Sequence, residues 1–124
     1  MIRERSESTP QYSKSDRIRT ATEASFTTLV LEGEGPIVVE FMSYGCAYCR
    51  ALEPILQRVA EMVPPTQTIY RVNTALAADL MDSYQVTGTP TLLMFLNGTE
   101  VGRAAGPHPT VESLLEIFRS AFES

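Results

Sequence analysis

From Ile37 to Met42 the chain carries apolar residues around a single acid, Ile37, Val38, Val39, Phe41 and Met42 flanking Glu40, a run that reads as a buried strand. The pattern then changes period. Ala51, Leu52, Ile55, Leu56, Val59, Met62 and Val63 recur at the spacing of one helix face, which predicts a helix from about Ala47 to Val63, stopped by Pro64 and Pro65. Pro54 lies inside it, where it removes one hydrogen bond and is expected to bend the axis. Thr68 to Val72 reads as a second core strand, and a shorter helix from about Leu76 to Tyr84 follows, giving a βαβ unit expected to be parallel and right-handed. The segment TPTLLMFLNGTEVGRAAG predicts a hairpin, with one strand from Thr91 to Leu96, a turn at Asn97-Gly98 and a return strand near Val101 to Ala105. Thr110 is a good N-cap for a last helix that puts Val111, Leu114, Leu115, Phe118 and Phe122 on one face. Upstream, Arg17 to Ala21 suits a short edge strand. Thr22 caps a first helix that turns Phe26, Leu29 and Val30 inward and ends at Gly33 and Gly35. Strands alternating with helices place the chain in the α/β class.

Composition narrows the partners more than the fold. A chain of 124 residues with 44% hydrophobic content fits one compact domain. Residues 1–16 carry Ser, Glu, Arg, Pro and Lys with little to bury and are expected to form a flexible tail, leaving 17–124 as the domain. The formal net charge of -5, with no Lys/Arg cluster, argues against nucleic acid or an anionic membrane as partner. The polar opening lacks the apolar stretch of a secretory signal, and no apolar run approaches a membrane span. The expected setting is the cytoplasm, or the periplasm only if a signal peptide has been removed.

The only two cysteines, Cys46 and Cys49, sit where the strand pattern gives way to the helix pattern. Cys46 therefore falls at or beside a helix N-terminus, where unpaired backbone N–H groups and the helix dipole favour a thiolate. Cys49, one turn on, is close enough to close a disulfide. A zinc site would need four ligands, and the chain offers two cysteines and one histidine, His108, held between Pro107 and Pro109. His108 reads as a turn residue, and no metal site is expected. A purely structural disulfide across so short a loop would contribute little. A cluster shared between two chains would use two such pairs, but nothing in the sequence asks for it, and the redox reading has support beyond the cysteines. Glu40 either points to solvent or is a carboxyl held inside near the dithiol; if buried, its raised pKa would let it take a proton from Cys49, through water, near neutral pH. Arg71 either pairs with Glu40 or reaches water, and Arg50 either supports the thiolate by its charge or is simply solvated. Taken locally, the Thr89-Pro90 bond in TGTPT reads as trans.

The ordered set VVEF, CxxCR, Pro54, GTPTLLMFLNG and Gly106 before the last helix resembles the thioredoxin family from roughly Arg17 to the C-terminus. That resemblance implies a thioredoxin-like three-layer sandwich, a mixed central sheet with helices on both faces. It further implies Cys46 as attacking thiol, Cys49 as buried resolving thiol, Glu40 as the buried acid and Pro90 as a cis-proline facing the dithiol. Thr89 would offer its backbone to substrate, and Tyr44, Gly45, Ala47 and Tyr48 would complete the substrate rim. Gly45 stands where the family usually has tryptophan, Met42 where it has an aromatic, and Ala47-Tyr48 where it has Gly-Pro. These changes alter the groove that substrates and a reductase meet, and the Ala-Tyr pair is expected to make the dithiol less reducing than that of thioredoxin. Tyr48 is also similar to the Pro-Tyr dipeptide of glutaredoxins, whereas the long segment before Cys46 and GTPTLLMFLNG are of thioredoxin type. The implied reaction is reduction or exchange of protein disulfides by a monomer that needs no cofactor, with a thioredoxin-reductase-like electron donor. The alternative is a thioredoxin-fold adaptor or chaperone-like binding module with little turnover.

Overall fold

The computed structural model describes residues 17–105 and 109–123, so the expected N-terminal tail, Gly106 and His108 lie outside the described residues. The described residues form β1 (Ile18–Thr20), α1 (Glu23–Phe26), β2 (Pro36–Met42), α2 (Ala47–Met62), β3 (Thr68–Asn73), α3 (Ala78–Ser83), β4 (Thr91–Leu96), β5 (Thr99–Ala105) and α4 (Val111–Glu123). The five strands make one sheet in the order β1-β3-β2-β4-β5. β1 and β2 run parallel to β3 on either side of it, whereas β4 pairs antiparallel with β2, and β5 with β4. The sheet is therefore mixed, as the order of strand and helix patterns implies.

Alternation along β2 divides the molecule into two cores. Val38 faces α2 and α4 with Leu52, Leu56, Val59, Ile69, Leu114 and Phe118. Ile37, Val39 and Phe41 face the other way, against Phe26, Val30, Leu80 and Met81 from α1, its continuation and α3. Each face of the sheet thus carries its own helical layer, and β2 at the centre is buried on both sides. Glu40 shares the α2 side with Val38.

Local chemistry explains most boundaries. Thr22 and Ser25 form a reciprocal capping box at the start of α1. Beyond Phe26 the helix widens into a π-helical turn over Thr27–Leu31, closed by the Glu32 N–H donating to the Thr27 carbonyl at 2.9 Å. The expected helix from Leu76 to Tyr84 is instead a 3₁₀ turn, Thr74–Leu76, followed by α3. The break falls at Ala77, and a Glu23 carboxylate oxygen supplies the missing cap by accepting the N–H groups of Asp79 and Leu80 at 2.7 and 3.1 Å. The hairpin follows its sequence pattern: Asn97 and Gly98 both adopt positive φ, 50° and 85°, the geometry its two-residue turn requires.

One face is rotated from expectation. Met62 is 58% exposed and Ala51 is exposed, because the buried stripe of α2 runs through Cys49, Leu52, Glu53, Leu56, Val59 and Ala60. At about 100° per residue a stripe centred on Leu56 reaches position 53 at one edge and leaves positions 51 and 62 more than about 100° from its centre, outside it. Pro54 sits within α2 on the exposed side.

Candidate active site

β2 ends at Met42, and the chain turns through Ser43, Tyr44 and Gly45 before α2 begins, with Cys46 as its N-cap. The extended backbone of Cys46 points its sulfur back over the first turn, where Sγ accepts the Cys49 N–H at 3.1 Å. A sulfur in place of the usual cap oxygen is stabilised as an anion by the same unpaired N–H groups. Both cysteines are free thiols, Cys46 partly exposed and Cys49 buried.

The two sulfurs are driven apart in acidity. Desolvation opposes ionisation of Cys46, but hydrogen bonds from the Cys49 thiol, the Thr89 side chain and the Cys49 and Tyr48 N–H groups outweigh it and hold its pKa below the ordinary thiol value. Burial pushes the Cys49 thiol up to about 11, aided by the hydrogen bond it gives Cys46. One sulfur is therefore primed as an anion while its neighbour keeps the proton.

The Thr89 carbonyl lies 3.5 Å from Sγ of Cys46, and the Thr89-Pro90 peptide is cis, against the local reading and in agreement with the resemblance. The Thr91 hydroxyl donates to the Gly88 carbonyl at 2.7 Å and ties this segment together at the start of β4. A groove of about 330 Å³ beside it is lined by Tyr48, the Thr87–Thr91 segment and Ala105. Tyr44 and Tyr48 are 56% and 50% exposed, and Gly45 has open space where a side chain would stand. Of the expected rim residues, Tyr48, Thr89 and Pro90 line this groove, whereas Tyr44, Gly45 and Ala47 flank Cys46 along the chain. Arg50 instead donates to the Tyr44 carbonyl at 3.0 Å and braces the loop.

Beneath the dithiol is a buried charged cluster. Glu40 is fully buried, and both its oxygens lack hydrogen-bond partners. Arg71 stands opposite it in the parallel register of β2 and β3, with Nε 3.6 Å from Glu40 Oε1, beyond hydrogen-bond reach. The Arg71 guanidinium Nη2 instead donates to Oε2 of Glu53, an oxygen that also accepts from Gln57 Nε2 at 2.9 Å. Desolvation, then repulsion from Glu53, raises the Glu40 pKa to about 8, against the opposing pull of Arg71, with a further raising contribution from Cys46. Glu40 thus belongs to the interior, and of the two readings of Arg71 the pairing one holds only loosely. Glu53 had no place among the sequence candidates. Its signal was its position, i+4 from Cys49 and flanked by Leu52 and Leu56 on the buried stripe.

A five-stranded mixed sheet clad by helices on both faces, with a reduced CxxC at a helix N-terminus beside a cis-proline, defines a thioredoxin-fold protein. The Thioredoxin family profile matches residues 17–119, and the chain belongs to the thioredoxin family. It is 30% identical over 102 residues to "Thioredoxin Y, chloroplastic" of Oryza sativa subsp. japonica, covering 82% of this chain but 60% of that protein's length. It is 29% identical over 105 residues to "Thioredoxin" of Porphyra purpurea, covering 83% of this chain and 98% of that one. A mutant thioredoxin from Halobacterium salinarum NRC-1 superposes with a TM-score of 0.75 at 21% identity, over 86% of this chain and 92% of that one, a likeness of fold. Membership and the Cys46/Cys49 pair support thiol–disulfide oxidoreductase chemistry in general terms. Among the described residues no helix is long and apolar enough to cross a membrane.

Proposed function

We propose that this protein reduces or exchanges disulfides in protein substrates through Cys46 and Cys49. The observation that carries the reading is the Cys46 sulfur at the N-cap of α2, accepting the Cys49 N–H at 3.1 Å at the edge of the Thr89-Pro90 groove.

The Cys46 thiolate attacks one sulfur of a substrate disulfide; that S–S bond breaks, and the departing substrate thiolate takes a proton from solvent. A mixed disulfide now joins Cys46 to the substrate. Its formation removes the negative charge at Cys46, which had raised the pKa values of both Glu40 and Cys49. With that charge gone Glu40 gives up its own proton to solvent, and the carboxylate so formed takes the Cys49 proton through an intervening water as Cys49 attacks Cys46 Sγ. The Cys46–Cys49 disulfide forms, the second substrate thiolate leaves and is protonated, and the substrate has gained two electrons. A dithiol reductant, such as a thioredoxin-reductase-like donor, restores the reduced pair.

In a reducing compartment such as the cytoplasm the net direction is reduction, and the protein acts there as a monomer on extended segments that lie along Tyr44, Gly45, Ala47, Tyr48, Thr89 and Pro90. Insulin reduction by dithiothreitol, with wild type and Cys46→Ser compared, tests the reading. Loss of turnover in the variant supports it. Equal turnover by both removes the catalytic role and favours the docking-module alternative.

A further inference from the structure

Three buried groups converge between β2, β3 and α2: the Glu40 carboxyl, the Arg71 guanidinium and the Glu53 carboxylate, each with no more than 6% of its surface exposed. Two carboxylates and one cation cannot all be charged there without leaving a net negative charge away from water, and an uncompensated buried ion costs several kcal/mol. One bound proton removes the imbalance. Its position follows from the donors: Glu53 Oε2 receives both Arg71 Nη2 and Gln57 Nε2, whereas Glu40 receives none.

Arg71 is the cation in register with Glu40 on the neighbouring strand, and it lies 3.6 Å away. Without a competitor, that guanidinium would close on Glu40 and hold it as a carboxylate. Glu53 is the competitor. The other groups acting on Glu40 are accounted for: Cys46 acts on it from the N-cap of α2, and β4 places the uncharged Leu92 opposite it. We propose that Glu53 is a positioning residue that draws the Arg71 charge away from Glu40, so that Glu40 keeps an exchangeable proton for the dithiol. The role of Glu40 in exchange rests on the function proposed above, whereas the Glu53–Arg71–Glu40 competition does not.

The test is carboxyl-carbon NMR of the full chain in its reduced state, labelled at glutamate, from about pH 5 to about pH 10. In the wild type Glu40 titrates within this range. In Glu53→Gln, which keeps the shape and removes the charge, the Glu40 midpoint falls by about one pH unit or more, a tenfold or greater loss of proton affinity. Adding Arg71→Gln to that variant raises the midpoint again. A wild type in which Glu53 carries the titration, or a Glu40 midpoint unmoved by Glu53→Gln, overturns the inference, and the first result needs no variant to fold. Mixed-disulfide resolution measured on the same proteins separates the two ideas. If its pH profile follows the Glu40 midpoint downward, both stand; if the midpoint moves and the profile does not, the competition stands and Glu40 leaves the exchange step.

Discussion

The sulfur of Cys46 and the backbone nitrogen of Cys49 stand 3.1 Å apart, so the first cysteine caps the helix that carries the second. Alkylation of the reduced protein by iodoacetamide at neutral pH should therefore label Cys46 faster than a free cysteine and leave Cys49 unlabelled. Removing the thiol donor with Cys49→Ala should raise the pKa of Cys46, read from thiolate absorbance across a pH titration. An unmoved midpoint would discount the Cys49 hydrogen bond as a cause.

Glu40 is placed to act on the second half of exchange rather than the first. Glu40→Gln should slow resolution of the mixed disulfide on the order of tenfold to a hundredfold, within the usual range of general-base effects, and leave its formation unchanged. Stopped-flow traces with a single-turnover disulfide substrate separate the two phases. Equal resolution rates for wild type and variant would exclude a proton-transfer role.

The same carboxyl links stability to pH. Folded Glu40 holds its proton up to about pH 8. In the unfolded chain it ionises in the ordinary carboxyl range, about 4.3. Between those two values the unfolded state has released a proton that the folded state retains, so the Glu40 contribution to stability falls as pH rises through that window and levels off above it. Glu40→Gln should accordingly gain on the wild type by a few kcal/mol between about pH 5 and about pH 8.5, measured by chemical denaturation at each pH. A constant difference would contradict a protonated Glu40 in the fold.

Gly98 has φ of 85°, and a β-carbon there would stand 2.3 Å from the Leu31 carbonyl oxygen. Gly98→Ala meets both a left-handed backbone and a collision with main chain, and should cost about 1–3 kcal/mol or more in denaturant unfolding. The dithiol lies at the opposite end of β4, so insulin reduction by the folded variant should be unchanged.

Glu23 reaches from α1 to cap α3 through two backbone N–H groups. Glu23→Ala should lower stability by about 1 kcal/mol, the usual worth of a helix cap. Amide hydrogen exchange at Asp79 and Leu80 should accelerate more than exchange in β2; uniform acceleration would point to a global effect instead.

Where a single periodicity governs an element, the sequence is a good guide to this fold. β4 runs from Thr91 to Leu96 as its apolar run predicts, Asn97-Gly98 turns as that dipeptide requires, and α4 buries Leu114 and Phe118 while Val111, Leu115 and Phe122 pack at the margin. Departures arise where a distant group decides. α3 starts after Ala77 because Glu23, far away in sequence, accepts its first N–H groups, and nothing between Thr74 and Tyr84 announces that. The π turn after Phe26 likewise lacks a local marker. In the candidate site, the cysteines were legible from their local spacing, and the cis Thr89-Pro90 bond only through the ordered resemblance, since taken locally it reads as trans. Glu53 was not legible, since a helix glutamate is ordinarily solvated and its buried charge is met by Arg71 from β3. The full meaning of Glu40 was hidden for the same reason.

A sulfur that doubles as a helix cap has a thermodynamic counterpart to its reactivity. Every contact that lowers the energy of the anion at position 46 is lost when that atom enters a disulfide, so those contacts favour the dithiol over the oxidised pair and raise the midpoint potential of the couple. Readiness to attack and eagerness to surrender electrons therefore pull in opposite directions here, and the start of α2 is where their balance is set.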